Sequence, residues 1–151
     1  MPDQFRYQRR VEFCETDAAG IAHFSAFFCY MEQTEHAFWR SLGETVLQDL
    51  GDGWHLSWPR VHVECDYRSA AKFEDLLTIS LQVGRLGARS LTTVYHVEVE
   101  GRTIAEGKVV AVCCRVHSQH GMAPVEIPAR LREKLQPFVV ARPDVDGPAG
   151  A

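Results

Sequence analysis

The sequence predicts an α+β domain in which an antiparallel sheet packs against one long helix. Several stretches between residues 60 and 116 alternate apolar and polar side chains or form short apolar runs, the two patterns of β-strands. Between residues 26 and 42, apolar side chains recur at helical spacings, with polar residues between them. Because only short turns separate the strands, we expect them to pair antiparallel, with the helix on one face of the sheet.

The first two elements follow from residue type. Residues 5–13 are rich in β-forming side chains and predict a strand. The helix that follows has one apolar face, made by Phe27, Met31, Phe38 and Leu42 with Thr34 between them. Ser25 is placed to cap the start of this helix through its side chain, and Gly43 is placed to end it.

Four more strands are expected after a loop around Gly51 and Gly53. They cover residues 60–68, 76–83, 89–99 and 103–116, and the apolar middle of the last one predicts a central strand buried on both faces. A short helix is expected over residues 129–138. We therefore predict one domain at residues 1–138 and a mobile tail at 139–151, which has two prolines, two glycines and little to bury.

Composition excludes several classes of protein. The 151 residues, 46% of them hydrophobic, suffice for one core. No apolar run of about 18 residues is present and the N-terminus lacks the apolar stretch of a secretory signal, so we expect a cytoplasmic protein with no membrane partner. The five cysteines interrupt apolar runs and are expected to be buried, reduced thiols. A net charge of −4 without a basic stripe argues against nucleic acid.

The most informative segment is VEFCETDAAGIAHFSAFFCYMEQTEHAF, residues 11–38. It places Asp17 and Gly20 in an Asp-x-x-Gly turn that runs directly into the helix. Taken alone, an Asp before a Gly is most often a structural turn residue.

Glu32 and Glu35 on the helix are better explained as a solvated or subunit-contacting face than as bases. His117 and His120 are spaced as metal ligands are, but no Cys or acidic residue lies near them, so we expect no metal.

This segment resembles the signature of the 4-hydroxybenzoyl-CoA thioesterase family, hotdog-fold enzymes that hydrolyse acyl-CoA thioesters. The strand, loop and hairpin series from VECDYRSAAKFEDLL onward is similar to that family too, so the resemblance covers roughly residues 5–128. It implies a hotdog fold, a sheet wrapped around one central helix. It also implies an acyl-CoA substrate, no separate cofactor, and an active site at the interface of a homodimer that can pair into a tetramer.

The resemblance assigns roles to residues of the turn. Asp17 is the nucleophile or the general base, Gly20 leaves room for the acyl group, and the backbone N–H of Phe24 at the helix start binds the oxyanion. Several members carry His at the position of Phe24, whereas this chain has His23 one residue earlier, so His23 is a further candidate for the catalytic site. Basic and hydroxyl side chains near turns are candidates to contact the CoA moiety. These candidates are Lys72, Arg85, Arg89 and Ser90.

Two other functions fit a hotdog fold. Dehydratases and hydratases set an Asp and a His around an Asn. Many thioesterase relatives also carry an Asn, at the position of Ala26, and this chain lacks it there. A non-catalytic acyl-CoA-binding module would bind the ligand without turnover. Release of free thiol from acyl-CoA separates the thioesterase from both alternatives, while the sequence leaves open the acyl group and the choice between nucleophile and base.

Overall fold

The computed structural model describes residues 1–140, which form two antiparallel sheets and one long helix. The strands are β1 (Phe5–Arg10), β2 (Gln48–Gly51), β3 (Trp54–Ser57), β4 (Arg60–Tyr67), β5 (Leu76–Leu86), β6 (Ser90–Val99), β7 (Arg102–Val112), β8 (Cys114–His117) and β9 (Gly121–Pro124). The helices are α1 (Ala26–Ser41) and α2 (Ala129–Leu135). The large sheet has the order β1-β5-β6-β7-β4 and the small sheet the order β2-β3-β8-β9. The predicted α+β class is confirmed.

Helix α1 packs on the large sheet through the apolar face that the sequence predicts. Phe27, Met31 and Phe38 are buried, and Tyr30 and Trp39 widen the buried face. Met31 packs closely on Gly107 of β7, where a Cβ atom would lie only 2.2 Å from the Met31 sulfur. A side chain at position 107 would therefore have to displace the buried Met31 side chain or the helix that carries it.

We expect Gly107→Ala to lower the free energy of unfolding by about 1–3 kcal/mol, the usual cost of overpacking a core. Urea denaturation measures the change. In a Met31→Ala background the same substitution should cost clearly less, because the clashing sulfur is gone. Equal costs in both backgrounds would show that Met31 does not set the helix-to-sheet spacing.

The ends of the first elements differ from the prediction. Strand β1 stops at Arg10, and Phe13–Glu15 form a 3-10 turn instead of continuing it. Ser25 precedes α1 but its side chain makes no capping bond. Its φ of −73° and ψ of −22° are already helical, and its hydroxyl bonds to Nδ1 of His23 at 2.7 Å. The capping prediction is therefore wrong.

The small sheet was not predicted. The loop expected around Gly51 and Gly53 is the β2–β3 hairpin, whose tight turn needs the positive φ values of +86° and +79° at these two glycines. The single strand expected at 103–116 breaks at Cys113 into β7 and β8, which belong to different sheets. The prediction of a central strand buried on both faces is also wrong. Strand β7 lies second from the edge of the large sheet, and its outward side chains are half-buried or exposed.

Strand β4 is a free edge of the large sheet. It pairs with β7 on one side and with no strand on the other within residues 1–140. The alternation over residues 60–68 predicted a strand with its apolar face buried, yet Val61 is 57% exposed and Val63 46% exposed. Too little of the described chain covers this edge, which gives the strand an exposed apolar side and unpaired backbone groups.

The remaining expectations concern the C-terminal region and the cysteines. Residues 129–138 form α2 and a short 3-10 turn, as predicted. Val139 and Val140 attach to β5 at Val83, and the rest of the expected tail, residues 141–151, lies outside the described residues. All five cysteines fall in the described part and carry free thiols, but only two are buried. Within residues 1–140 no helix is long and apolar enough to cross a membrane.

Candidate active site

The Asp17 turn is a small hairpin whose geometry is set by backbone hydrogen bonds. The Asp17 N–H donates to the Ile21 carbonyl at 2.8 Å, and the His23 N–H donates to the Glu15 carbonyl at 2.8 Å. The Gly20 N–H donates to the Asp17 carbonyl at 2.9 Å. Gly20 has a φ of +79°, a conformation that a residue with a Cβ rarely adopts. The turn therefore requires glycine here.

The Asp17 carboxylate has one structural oxygen and one free oxygen. Oδ1 accepts hydrogen bonds from the N–H groups of Ala19 at 2.8 Å and Ile21 at 3.4 Å, so the carboxylate closes its own turn. Oδ2 accepts no hydrogen bond from any residue between 1 and 140. The structural and the functional interpretation of Asp17 are thus compatible, because each uses a different oxygen.

We expect Gly20→Ala to lower the free energy of unfolding by about 1–2 kcal/mol, the cost of a left-handed backbone for a residue with a Cβ. A Cβ at this position would meet nothing within 4 Å, so the cost is backbone strain alone. Gly20→Asn is the matched control and should lose less, since Asn tolerates this conformation better. Thermal or urea unfolding measures both, and an equal loss for the two variants would contradict the assignment to strain.

A buried polar network ties this hairpin to α1. The Glu15 carboxylate accepts hydrogen bonds from the Tyr30 hydroxyl at 3.1 Å and from the Glu12 N–H at 2.8 Å, and it forms an ion pair with Arg9. Arg9 also donates to Oε1 of Gln33 at 2.6 Å. Burial, with the Glu15 carboxylate beside it, raises the pKa of Tyr30 far above its ordinary value and keeps the hydroxyl a donor. No local sequence pattern predicts this network, because its members lie on three separate elements.

A cavity of about 320 Å³ opens beside Asp17, between the start of α1 and the end of β4. The Tyr67 hydroxyl closes one side by donating to the Phe24 carbonyl at 2.6 Å, and its ring meets that of Phe27 edge-on at 5.3 Å. The lining residues are Asp17, Ile21, Ala22, Phe24, Phe27, Tyr67, Arg68, Ser69, Ala70 and Ala71. The cavity has mainly apolar walls with one carboxylate and one guanidinium.

One residue that lines the same cavity, Phe24, has a free backbone donor. Among residues 1–140, no acceptor takes a hydrogen bond from the Phe24 N–H. Phe24 lies two residues before α1, where the helix dipole adds positive potential. The site thus combines a carboxylate oxygen and an N–H donor, the two groups that acyl transfer to water requires.

His23 does not share this arrangement. It is not among the residues that line the cavity. Its Nδ1 lies 2.7 Å from the Ser25 hydroxyl and accepts from the Ser25 N–H at 3.2 Å, and its ring packs at a tilt against the Phe24 ring. These contacts describe a histidine that supports the helix start from outside the cavity.

The four CoA-contact candidates lie in two places. Lys72 bridges to Ile21 through its backbone and is exposed beside the Asp17 turn. Arg85 and Arg89 are exposed at the tip of the β5–β6 hairpin, about 30 Å away along the length of β5. Ser90 does not fit the role, because it is only 5% exposed. Within one protomer only Lys72 is near Asp17.

A second cavity, of about 130 Å³, lies further along α1. Its lining residues are Phe28, Glu32, Glu35, Arg60, Val63, Tyr95 and Val109. The helix face around Glu32 and Glu35 was expected to be solvated or to contact another subunit, but Glu35 is 3% exposed within the protomer and forms an ion pair with Arg60. Burial, partly offset by Arg60, raises the pKa of Glu35 above its ordinary value. Glu35 lies four residues after Met31 on the apolar face of α1, and this spacing could have predicted that Glu35 is buried.

Metal ligation finds no support in the geometry of the described residues. Residues 1–140 hold no group of three or more His, Cys, Asp or Glu side chains placed to bind an ion. His117 and His120 instead pack against Trp54, with ring centroids 5.0 and 6.1 Å from it.

Comparison with known proteins supports the fold and the class of enzyme. A family model described as the thioesterase superfamily matches residues 19–106. The long-chain acyl-CoA thioesterase FadM of Escherichia coli is 30% identical over 112 residues, 73% of this chain and 83% of that protein. The 1,4-dihydroxy-2-naphthoyl-CoA hydrolase of Synechococcus elongatus is 26% identical over 132 residues, 87% of this chain and 95% of that protein.

A solved structure matches the whole domain. The 1,4-dihydroxy-2-naphthoyl-CoA thioesterase from Synechocystis superposes with a TM-score of 0.75 at 21% identity, covering 97% of this chain and all of the other. At this identity the match concerns the fold, and it confirms the predicted sheet wrapped around one helix. The chain therefore belongs to the thioesterase superfamily of hotdog-fold thioester hydrolases.

Proposed function

We propose that this protein hydrolyses acyl-CoA to the free acid and CoA, with Asp17 as the reacting carboxylate and the Phe24 N–H as an oxyanion donor. One observation carries the proposal: the residue with the unbonded carboxylate oxygen and the residue with the unbonded N–H line the same cavity. The resemblance to the 4-hydroxybenzoyl-CoA thioesterase family, quoted from the Asp17 turn, supports the same roles.

One carboxylate suffices for this chemistry. The leaving thiol of CoA has a pKa near that of cysteine, about 8.5, so it departs as a thiolate with little help from an acid. In one route Oδ2 of Asp17 attacks the carbonyl carbon, the C–S bond breaks, and water hydrolyses the resulting anhydride. In the other route Asp17 takes a proton from water, the water oxygen attacks, and the proton passes to the thiolate. In both routes the oxyanion that develops on the carbonyl oxygen accepts a hydrogen bond from the Phe24 N–H.

A homodimer completes the site in this proposal. The free edge of β4 exposes unpaired backbone groups and the apolar side chains of Val61 and Val63. If two β4 strands pair antiparallel about a two-fold axis, the start of one strand lies beside the end of the other. Ser90, at the start of β6, pairs with Val112 at the end of β7, and the neighbouring Ala111 of β7 pairs with Arg60 at the start of β4. The tip of the β5–β6 hairpin therefore lies at the end of the sheet where β4 starts.

The two-fold pairing brings the distant cations to the site. The hairpin tip of one copy, with Arg85 and Arg89, would approach the Asp17 cavity of the other, which lies at the Tyr67 end of β4. Lys72 supplies a further cation from the same copy as Asp17. These three side chains are the proposed contacts of the CoA phosphates. Pairing of two dimers into a tetramer remains part of the proposal.

The proposed acyl groups are aromatic or short to medium in length, and the proposed location is the cytoplasm, where the five free thiols would stay reduced. Phe27 and Tyr67 give the Asp17 cavity aromatic walls that suit such groups. A dehydratase is disfavoured because His23 does not line the cavity with Asp17.

The experiment is to follow thiol release, with a thiol-reactive dye, from benzoyl-, hydroxybenzoyl- and straight-chain acyl-CoAs. We expect turnover on at least one aromatic or medium-chain substrate. Tight binding of acyl-CoA with no thiol released from any of them would replace the proposal by a binding module. Double-bond hydration in an enoyl-CoA without thiol release would replace it by a hydratase.

A further inference from the structure

The two cavities lie one after the other along a single seam between α1 and β4. At one end of the seam, Tyr67 of β4 contacts the residues at the start of α1. At the other end, Arg60 of β4 contacts Glu35, two turns further along the helix. The helix and the strand therefore run antiparallel. Phe27 and Tyr67 line the first cavity, and Phe28 and Val63 line the second.

The two cavities share no lining residue, but an acyl group that is held at Phe24 and follows α1 would pass from the first cavity to the second. The far end of the seam is closed by the Glu35–Arg60 ion pair, which is fixed from both sides. Trp39 donates its indole N–H to Oε1 of Glu35 at 3.2 Å, and Arg60 donates to the Trp58 carbonyl at 2.7 Å. The Trp39 and Trp58 rings stack with centroids 5.4 Å apart behind the pair. The closure is thus held from both sides and charged. Between Phe27 and this pair, the lining from α1 and β4 is apolar except for the exposed Glu32 side chain.

We propose that the Glu35–Arg60 ion pair determines acyl-chain specificity by acting as a polar stop that ends the acyl channel. The inference rests on the proposed thioesterase function and deepens it. An alkyl chain reaching the pair would strip water and hydrogen-bonding partners from two charges and offer them nothing in return. Chains that end before the pair gain apolar contacts along the whole seam.

The geometry sets the length at which the stop acts. From Phe27 to Glu35 the helix advances about 12 Å, at 1.5 Å per residue. An extended alkyl chain advances about 1.3 Å per carbon, given C–C bonds of about 1.5 Å. The channel therefore accepts roughly eight to ten carbons beyond the thioester before the chain meets the ion pair.

The test is the chain-length profile of kcat/KM, from acetyl-CoA to palmitoyl-CoA at concentrations below micelle formation, for wild type and for Glu35→Leu/Arg60→Met. Apolar replacement of a complete buried ion pair usually preserves folding, whereas removal of one partner leaves a buried charge. In the wild type we expect kcat/KM to fall by about tenfold or more beyond ten carbons. In the double variant it should rise by about tenfold on the long chains, with short-chain values within about threefold of wild type.

The matched control is Glu64→Leu/Lys108→Met, which removes an ion pair of 3.4 Å on the face of the sheet away from α1. It should keep the wild-type profile. Binding of palmitate, followed by calorimetry, is a second readout that needs no turnover: the Glu35/Arg60 double variant should bind it and the wild type should not. Circular dichroism and thermal melting verify that all variants fold.

The outcomes separate the two proposals. Wild-type hydrolysis of short chains with the same profile in the Glu35/Arg60 double variant would overturn the polar stop and leave the thioesterase proposal standing. Equal wild-type kcat/KM on medium-chain and long-chain acyl-CoAs would also overturn the polar stop and leave the thioesterase proposal standing. No thiol release from any acyl-CoA, together with equal palmitate binding by both proteins, would overturn both proposals.

Discussion

Asp17→Asn should reduce kcat/KM for thioester hydrolysis by about a hundredfold or more, a loss of about 2.7 kcal/mol of transition-state stabilisation. The amide cannot act as nucleophile or base at Oδ2. It retains an oxygen for Oδ1, so the hydrogen bonds from Ala19 and Ile21 that shape the turn persist. Steady-state thiol release on the best substrate measures the loss, and the melting temperature should hardly change.

Asp49→Asn is the matched control for this variant. Asp49 also closes a turn with its carboxylate, since Oδ1 accepts from the Gly51 N–H at 2.8 Å, but it lies in the β2–β3 hairpin away from the Asp17 cavity. The control should stay within about twofold of wild-type activity. An Asp17→Asn enzyme that keeps more than about a third of wild-type kcat/KM would show that Asp17 has only its structural role.

Val61→Lys should convert a dimer into monomers and lower activity by about tenfold or more. Val61 is 57% exposed on the free edge of β4, so a lysine costs the isolated protomer little. Across a two-fold β4 pairing it would place two charges at an apolar strand edge, a device that blocks edge-to-edge association. Activity falls in this scheme because Arg85 and Arg89 reach the Asp17 cavity only from the neighbouring copy.

Leu50→Lys provides the control, since Leu50 is 50% exposed but lies on β2 of the small sheet. Sedimentation velocity gives the oligomeric state of each protein, and thiol release gives the activity. Wild type and Leu50→Lys should sediment as the same oligomer. A monomeric wild type, or a monomeric Val61→Lys with full activity, would contradict the proposal that two copies share the site.

The parts of the fold that sequence reasoning predicted are those with a local signal. Helix α1 and strands β5 and β6 follow from a side-chain periodicity that burial on one face imposes. Strand β4 follows from the same alternation, although its apolar side chains are exposed in the protomer. The small sheet was missed because its four strands have only four residues each, too few to show a period. The exposure of β4 was missed because position within a sheet depends on distant strands.

The candidate site shows the same division. Asp17, Gly20 and Phe24 lie within eight residues, and the turn and helix start that join them are local features. The Glu35–Arg60 pair joins residues 25 positions apart, and the polar identity of Glu35 suggested solvent. The burial of Ser90 and the outward contacts of His23 likewise depend on neighbours that no local pattern specifies.

The most direct measurement is a crystal structure with an acyl-CoA analogue in which a methylene group separates the sulfur from the carbonyl, so that hydrolysis is blocked. The proposed function predicts that the carbonyl oxygen accepts a hydrogen bond from the Phe24 N–H and that Oδ2 of Asp17 faces the carbonyl carbon. It also predicts that the acyl group enters the seam between α1 and β4. An analogue bound with its carbonyl away from both Phe24 and Asp17 would contradict it.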